Sequence, residues 1–382
     1  MVRRYAGVIA VVSMLAAGGY APAAPPDPVA DNAALHYWRA FSVLPNLDEK
    51  QEVSLRDAIE KLGPVDEKTA QVVELGRLSL KELHRGAKCS RCVWATPLED
   101  GVETLLPHCA KARQLARLAC ARTHLRFQQG RPGAAIDDLM DTMTLARHVA
   151  SDGVLVSTLV DYAIERQAIG VAARHLGDFK PAELDEFAAR LDRLPAATTM
   201  RRAMQVEKES LLEGFIRDLS GPGGKEKVAS FQKAIGADGA SHFKVLRAFS
   251  RDQLLDGLIA LRPVYDKIVA MMDRPPAEIK GPETMLAGLS PAARALGLWL
   301  LPAAVACRTN EAAHQTRLAM LKAALAVVRR GPEALKAEAL NDPYAGGPFS
   351  YEKTSGGFRL VSKTLEREGK PVTLEVGPRP SK

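Results

Sequence analysis

The architecture turns on residues 315–362: QTRLAMLKAALAVVRR (315–330), a break at Gly331-Pro332, EALKAEAL (333–340), then DPYAGGPFSYEKTSGGFRLVS (342–362). The first run reads as a long helix that stops at the Gly331-Pro332 break. The second is a short helix. The third is rich in turn residues and reads as a small β-hairpin seated on the end of the long helix. A helix capped by a hairpin points to a structural or interaction role rather than to chemistry.

Working outward, the rest of the chain is helical in pattern. Asp31 reads as the N-cap of a helix carrying Tyr37, Phe41 and Leu44, stopped by Pro45. Helices follow at Asp48–Leu62 and Asp66–Arg85, the latter with Gly86 as C-cap, before an irregular cysteine-bearing segment, Ala87–Leu106. Pro107 and Pro132 open two strongly periodic helices, the second with Ile136, Leu139, Met140 and Met143 inward. Val154–Leu176, Pro181–Leu194 and Thr198–Leu219 continue the series. Short Gly- or Pro-marked connections make such neighbours antiparallel hairpins.

Ser220–Gly224 (SGPGG) reads as a linker, followed by helices at Lys225–Ile235 and Ser241–Met272. Met285–Cys307 is nearly all apolar, but Arg294, Pro291 and Pro302 make it a buried core helix rather than a membrane span. The expected fold is mainly α: an irregular stack of antiparallel helical hairpins, tetratricopeptide-like in part, with a small C-terminal β-hairpin. The expected units are a signal peptide (1–23), an N-terminal helical domain (24–219), a C-terminal helical region (225–340) and the hairpin with its tail (341–382).

The compartment is read from the start of the chain. Met1-Val2-Arg3-Arg4 is a basic region, Ala6–Gly19 is a short apolar run, and Ala21-Pro22-Ala23 is a small-x-small cleavage pattern. An exported protein, periplasmic or extracellular, is expected, with no transmembrane span after cleavage. The net charge of +7 over 382 residues is modest and dispersed. For an exported chain it suits another envelope protein or an anionic envelope polymer as partner, and not nucleic acid.

Several stretches together resemble a group of uncharacterised, exported, all-helical bacterial proteins: NAALHYWRAFSVLP (32–45), CVWATPLEDGVETLLPHCAKARQLARL (92–118), GRPGAAIDDLMDTMTLARHVASDGVLVSTLVDYAIE (130–165), WLLPAAVACR (299–308) and the DPYAGGPFSYEKTSGGFRLVS tail (342–362). That resemblance carries no activity. The tail separately resembles the C-terminal region of the major pseudopilin of type II secretion systems, with Asp342-Pro343, Gly346, Pro348 and Tyr351 at the matching places. Pseudopilins continue into an acidic calcium loop, whereas this chain continues KTLEREGKPVTLEVGPRPSK (363–382), so the resemblance implies no calcium site here.

Residues able to carry chemistry are few. Cys89-Ser90-Arg91-Cys92 lies near His84, His108, Cys109 and Cys120 but lacks the second paired knuckle of a zinc site, and no metal or other cofactor is expected. In an exported chain disulfides are the leading expectation for Cys89, Cys92, Cys109 and Cys120. Cys109 and Cys120 sit roughly 16 Å apart along one helix. If oxidised, each must reach the Cys89–Cys92 segment or Cys307. Buried free thiols are the alternative.

Asp161 and Glu165 form a like-charged i, i+4 pair on an otherwise apolar helix. Such a pair serves acid/base chemistry or is compensated by Arg166, Arg174 or another arginine at a helix interface. Glu311-x-x-His314 has the spacing of di-iron bundles but occurs once. Gly221–Lys225 is not a phosphate loop, because Glu226 stands where Ser or Thr is needed.

The function expected is a non-enzymatic scaffold or interaction protein of the envelope, using a groove between stacked helices. The alternative is a hydrolase acting on an envelope polymer, which requires a deep cleft with converging, charge-perturbed carboxylates. A lipid carrier, with a closed apolar tunnel, is a weaker third.

Overall fold

Caps and breakers set the first elements. The computed structural model describes residues 31–61, 64–224, 226–228, 241–279, 281–301, 304–366 and 368–377. The leader and most of the helix expected at Lys225–Ile235 lie outside these residues. Helix α1 (Ala33–Ser42) is capped by Asn32 rather than Asp31: the Asn32 side chain accepts from the Ala34 N–H. Asp31 instead accepts from the Ser90 N–H at 3.0 Å. Helix α2 (Glu49–Glu60) starts with a reciprocal Asp48–Gln51 capping box.

The single helix expected at 66–85 is two, α3 (Glu67–Leu75) and α4 (Arg77–Ala87), broken at Gly76. A Cβ at Gly76 would lie 2.1 Å from Leu118 Cδ2, so the break brings the backbone against a buried leucine that only glycine admits. Gly86, expected as a cap, is buried within the last turn of α4.

Helices α5 (Pro107–Gln128), α6 (Pro132–Val149) and α7 (Leu155–His175) pack as successive antiparallel neighbours. Helix α6 is the centre of the molecule: every residue from Asp138 to Val149 is buried. Next come α8 (Pro181–Leu191), α9 (Met200–Glu207) and α10 (Glu213–Ser220), the last two joined by a π-helical turn at Lys208–Leu212. Helix α11 (Arg251–Met271) begins at a Ser250 capping box, later than expected, and 3₁₀ turns occupy 241–248.

The apolar run at 285–307 is not one helix. It holds α12 (Pro291–Leu300) and the start of α13 (Ala304–Arg330). No helix among the described residues is long and apolar enough to cross a membrane.

Side chains form three packed clusters. One joins α1 and α4 to α5 around Tyr37, Leu80, Leu115 and Trp94. A second surrounds Tyr265 and Leu258 of α11 and takes in Met204, Ile216 and Leu219 from before the SGPGG segment. The third links α5–α8 and α13 to the C-terminal sheet.

That sheet exceeds the expected hairpin. β1 (Asn341–Asp342) pairs with β2 (Gly347–Pro348), and β3 (Ser350–Thr354), β4 (Gly357–Leu365) and β5 (Pro371–Val376) form an antiparallel sheet in that order. The added strand β5 alternates buried Val372, Leu374 and Val376 with exposed or half-buried partners, the period of a one-sided strand. Its apolar face, with Phe358 and Leu360 of β4, lies on α13 and α7.

Asp342 explains the DPYAGG turn. Its carboxylate accepts from the N–H groups of Tyr344 and Ala345 and from the hydroxyls of Ser362 and Thr364. The aspartate that carries the pseudopilin-like motif is fully engaged in holding its own turn.

A Cβ at Gly357 would fall 2.0 Å from the Val376 carbonyl oxygen. Gly357→Ala is therefore expected to force β4 and β5 apart and cost about 1–3 kcal/mol. Urea unfolding reads this directly, and an unchanged midpoint would show that the strands shift freely.

Candidate functional site

The acidic pair flagged in the sequence is at the heart of the protein. Asp161 and Glu165, on α7, are both 0% exposed. Arg147 of α6 lies against Glu165, with Nε 2.5 Å from Oε1 and Nη2 donating to Oε2 at 3.0 Å. From the other side His314 of α13 places Nε2 3.3 Å from Glu165 Oε2. The Tyr162 ring stacks on His314 at 4.3 Å, and its hydroxyl donates to the Thr198 carbonyl.

The compensating arginine is thus Arg147, and neither Arg166 nor Arg174. Arg166 is exposed, and Arg174 donates to the Gly377 carbonyl. Arg147 continues the inward stripe Ile136, Leu139/Met140, Met143 by one turn, so its position was readable as buried.

Burial governs the charges. It pushes the Asp161 carboxyl up to about 7, against the pull of Arg147, and neither Asp161 oxygen has a hydrogen-bond partner. It pushes Glu165 up to about 8, helped by the charge of Asp161 one turn away. Burial also drives His314 down to about 3, and Arg147 adds to this. At neutral pH the imidazole is neutral and the two carboxyls share less than their full charge.

A neighbouring group extends the polar spine. Glu311 accepts from the Met200 N–H at 2.8 Å, binding the start of α9, and pairs with Arg308 at 2.9 Å. Arg308 also donates to the Tyr344 hydroxyl of the C-terminal turn. Glu311 and His314 therefore face different partners, and among the described residues no group of three or more His, Cys, Asp or Glu side chains is arranged to hold a metal ion.

Above this cluster lies a cleft of about 760 Å³, bounded by α7, α13 and β5. Tyr162 and His314 form its floor. Arg166, Arg174 and Arg317 share its walls with Glu60, Glu366 and Glu375. Arg317 is paired with Glu366, and Arg359 with Glu375 at 2.8 Å. The carboxyls with raised pKa values do not line the cleft; they sit behind its floor.

The disulfide expectation is not met. Cys89, Cys92, Cys109, Cys120 and Cys307 are all unbonded. Cys109, like Cys89 and Cys92, belongs to the core around Tyr37, whereas Cys120 packs with Ile136 and Leu139 and Cys307 with the α11 core. The Cys89–Cys92 segment is held by other means: Asn32 bridges the backbone of Val93, and Trp94 stacks on His108 at 4.4 Å while donating to the His148 carbonyl at 2.7 Å. Burial pushes the thiols of Cys92, Cys109 and Cys120 up to about 12.

Comparison with known proteins finds no matching family model, curated protein or solved structure.

Two expectations follow. Asp161 and Glu165 have folded-state pKa values above their ordinary 3.8 and 4.5, so their contribution to stability is complete at low pH and is lost as pH rises through the folded values. His148, His175 and His314 are depressed below 6.5 and act in the opposite sense, but only below that pH. From pH 6.5 to 8 stability should therefore fall, by at most about 1.4 kcal/mol per pH unit for each proton lost. Denaturant titrations of the Asp161→Asn/Glu165→Gln double variant should show that slope flattened; an unaltered slope would place the titration elsewhere.

For the thiols, alkylation of the native protein followed by mass spectrometry should modify half-buried Cys89 first, while Cys120 reacts only on unfolding. Early labelling of Cys120 would contradict its burial.

Proposed function

We propose that this chain is a non-enzymatic binding protein of the bacterial cell envelope, with the cleft between α7, α13 and β5 as its working surface. The observation that carries this reading is the separation of cleft from carboxyls. The cleft has the size of a ligand site and presents both signs of charge, while Asp161 and Glu165 are sealed behind Tyr162 and His314. Acids that cannot touch a ligand do not perform general acid/base work on it.

The envelope assignment rests on the leader pattern at residues 1–23. The C-terminal sheet forms one wall, so it serves binding as well as covering α13.

The hydrolase reading keeps one specific support. His314 reaches the cleft floor as a neutral imidazole held by Glu165, a proton acceptor that burial, driving its pKa down to about 3, makes a weak one. The two readings part in one experiment. A photo-cross-linking residue at Gln167 or Asn310, both lining the cleft, should capture envelope components that one at exposed Lys81 of α4 does not. The captured partner should be chemically intact, and equally so from a His314→Gln background. Fragments that become intact only in His314→Gln would establish hydrolysis, and equal labelling from Lys81 would remove the cleft from consideration.

A further inference from the structure

The wall of the cleft contributed by β5 is the open edge of a sheet. Among the described residues, the order β3-β4-β5 leaves β5 with a strand neighbour on one side only. Backbone direction along it follows from two hydrogen bonds. The Lys370 carbonyl accepts from the Glu366 N–H, on the β4 side, while the Gly377 N–H donates to the Ala173 carbonyl of α7, on the opposite side. Because backbone groups alternate sides along a strand, even-numbered residues from Lys370 address β4 and odd-numbered ones address the cleft. Thr373 thus turns both its N–H and its C=O into the cleft, with no hydrogen bond to either among the described residues. Thr373 is exposed, so this backbone pair is open to solvent and offers a template for an added strand.

Charge narrows the partner. Arg166 lines the same cleft, about two helical turns from the Ala173–Gly377 joint; its charge acts on Glu368 and Arg317, but it makes no ion pair or hydrogen bond among the described residues. The other cationic walls are engaged: Arg317 with Glu366, and Arg174 with the Gly377 carbonyl. Three carboxylates, Glu60, Glu366 and Glu375, share the space. A polyanion would meet all three. A single carboxylate on an otherwise uncharged backbone meets one available guanidinium.

Resting on the reading of the cleft as a binding site, we infer that its ligand is an extended peptide segment of another protein, added as a further strand along β5 and carrying an acidic side chain that pairs with Arg166. Backbone pairing to Thr373 supplies affinity without regard to sequence, and the acid fixes position. Pro371 at the start of β5 lacks an N–H, which limits how far a strand can pair and disfavours indefinite edge-to-edge association.

The test uses the full-length protein and a displayed library of short linear peptides. Selected peptides should carry an acidic residue and lose at least about tenfold in affinity against Thr373→Pro and against Arg166→Glu, with Thr373→Val unaffected. Proline at 373 deletes only the cleft-facing N–H and leaves pairing to β4 intact. Should that variant fail to fold by circular dichroism, backbone N-methylation of the selected peptide interrogates the same hydrogen bonds. Peptides that bind Thr373→Pro and wild type equally would overturn strand addition. If no peptide is selected but heparin or polyglutamate blocks cross-linking from Gln167, the cleft is a binding site and the peptide is the wrong occupant. If neither peptide nor polyanion occupies it, both readings fall.

Discussion

The ion contact between Arg147 and Glu165 is the constraint around which this protein is arranged. Three helices meet there: α6 supplies the arginine, α7 the glutamate and Asp161, and α13 the histidine. Each charge is out of water, so none is tolerable alone, and removing one partner of such a buried pair generally costs about 3–5 kcal/mol. An apolar packing of the same helices would accept small rotations and register shifts. A buried guanidinium held against the Glu165 carboxyl accepts far fewer, because displacement leaves the guanidinium without its partner.

That fixed crossing of α7 and α13 is what gives the cleft a definite floor. Tyr162 and His314 are stacked on each other and backed by Glu165, so the surface they present is set from beneath. The C-terminal sheet then closes one side. Its apolar face packs on α13 and α7, the Gly377 N–H reaches the Ala173 carbonyl, and the cleft opens between these two helices and the edge of β5.

Much of this was legible in the residues. Proline at the first turn marked α5, α6 and α8, and an apolar stripe marked the inward faces of α6 and α13. Asp161 and Glu165 drew notice because two carboxyls on a greasy helix need an explanation. Their neutraliser was missed because the nearest arginines in sequence, Arg166 and Arg174, point elsewhere, and Arg147 comes from another helix. The strand β5 was legible too, because Val372, Leu374 and Val376 alternate plainly with polar neighbours, but its pairing with β4 depends on tertiary contact. The cysteines misled for a different reason: proximity in sequence says which loops hold thiols, and only the packing of α5 shows Cys109 and Cys120 turned into separate cores.

By itself the sequence determined the class of fold, most helix starts and the identity of the buried acids. Those properties follow from local causes, namely hydrophobic period, capping side chains and the backbone limits of glycine and proline. Only the tertiary structure decided which arginine answers the acids, that the acids lie behind a cleft instead of within it, and that a sheet edge lines its wall. Such facts depend on which faces of distant segments are pressed together, and burial, not sequence spacing, sets the energy of a charge or of an unmet hydrogen bond.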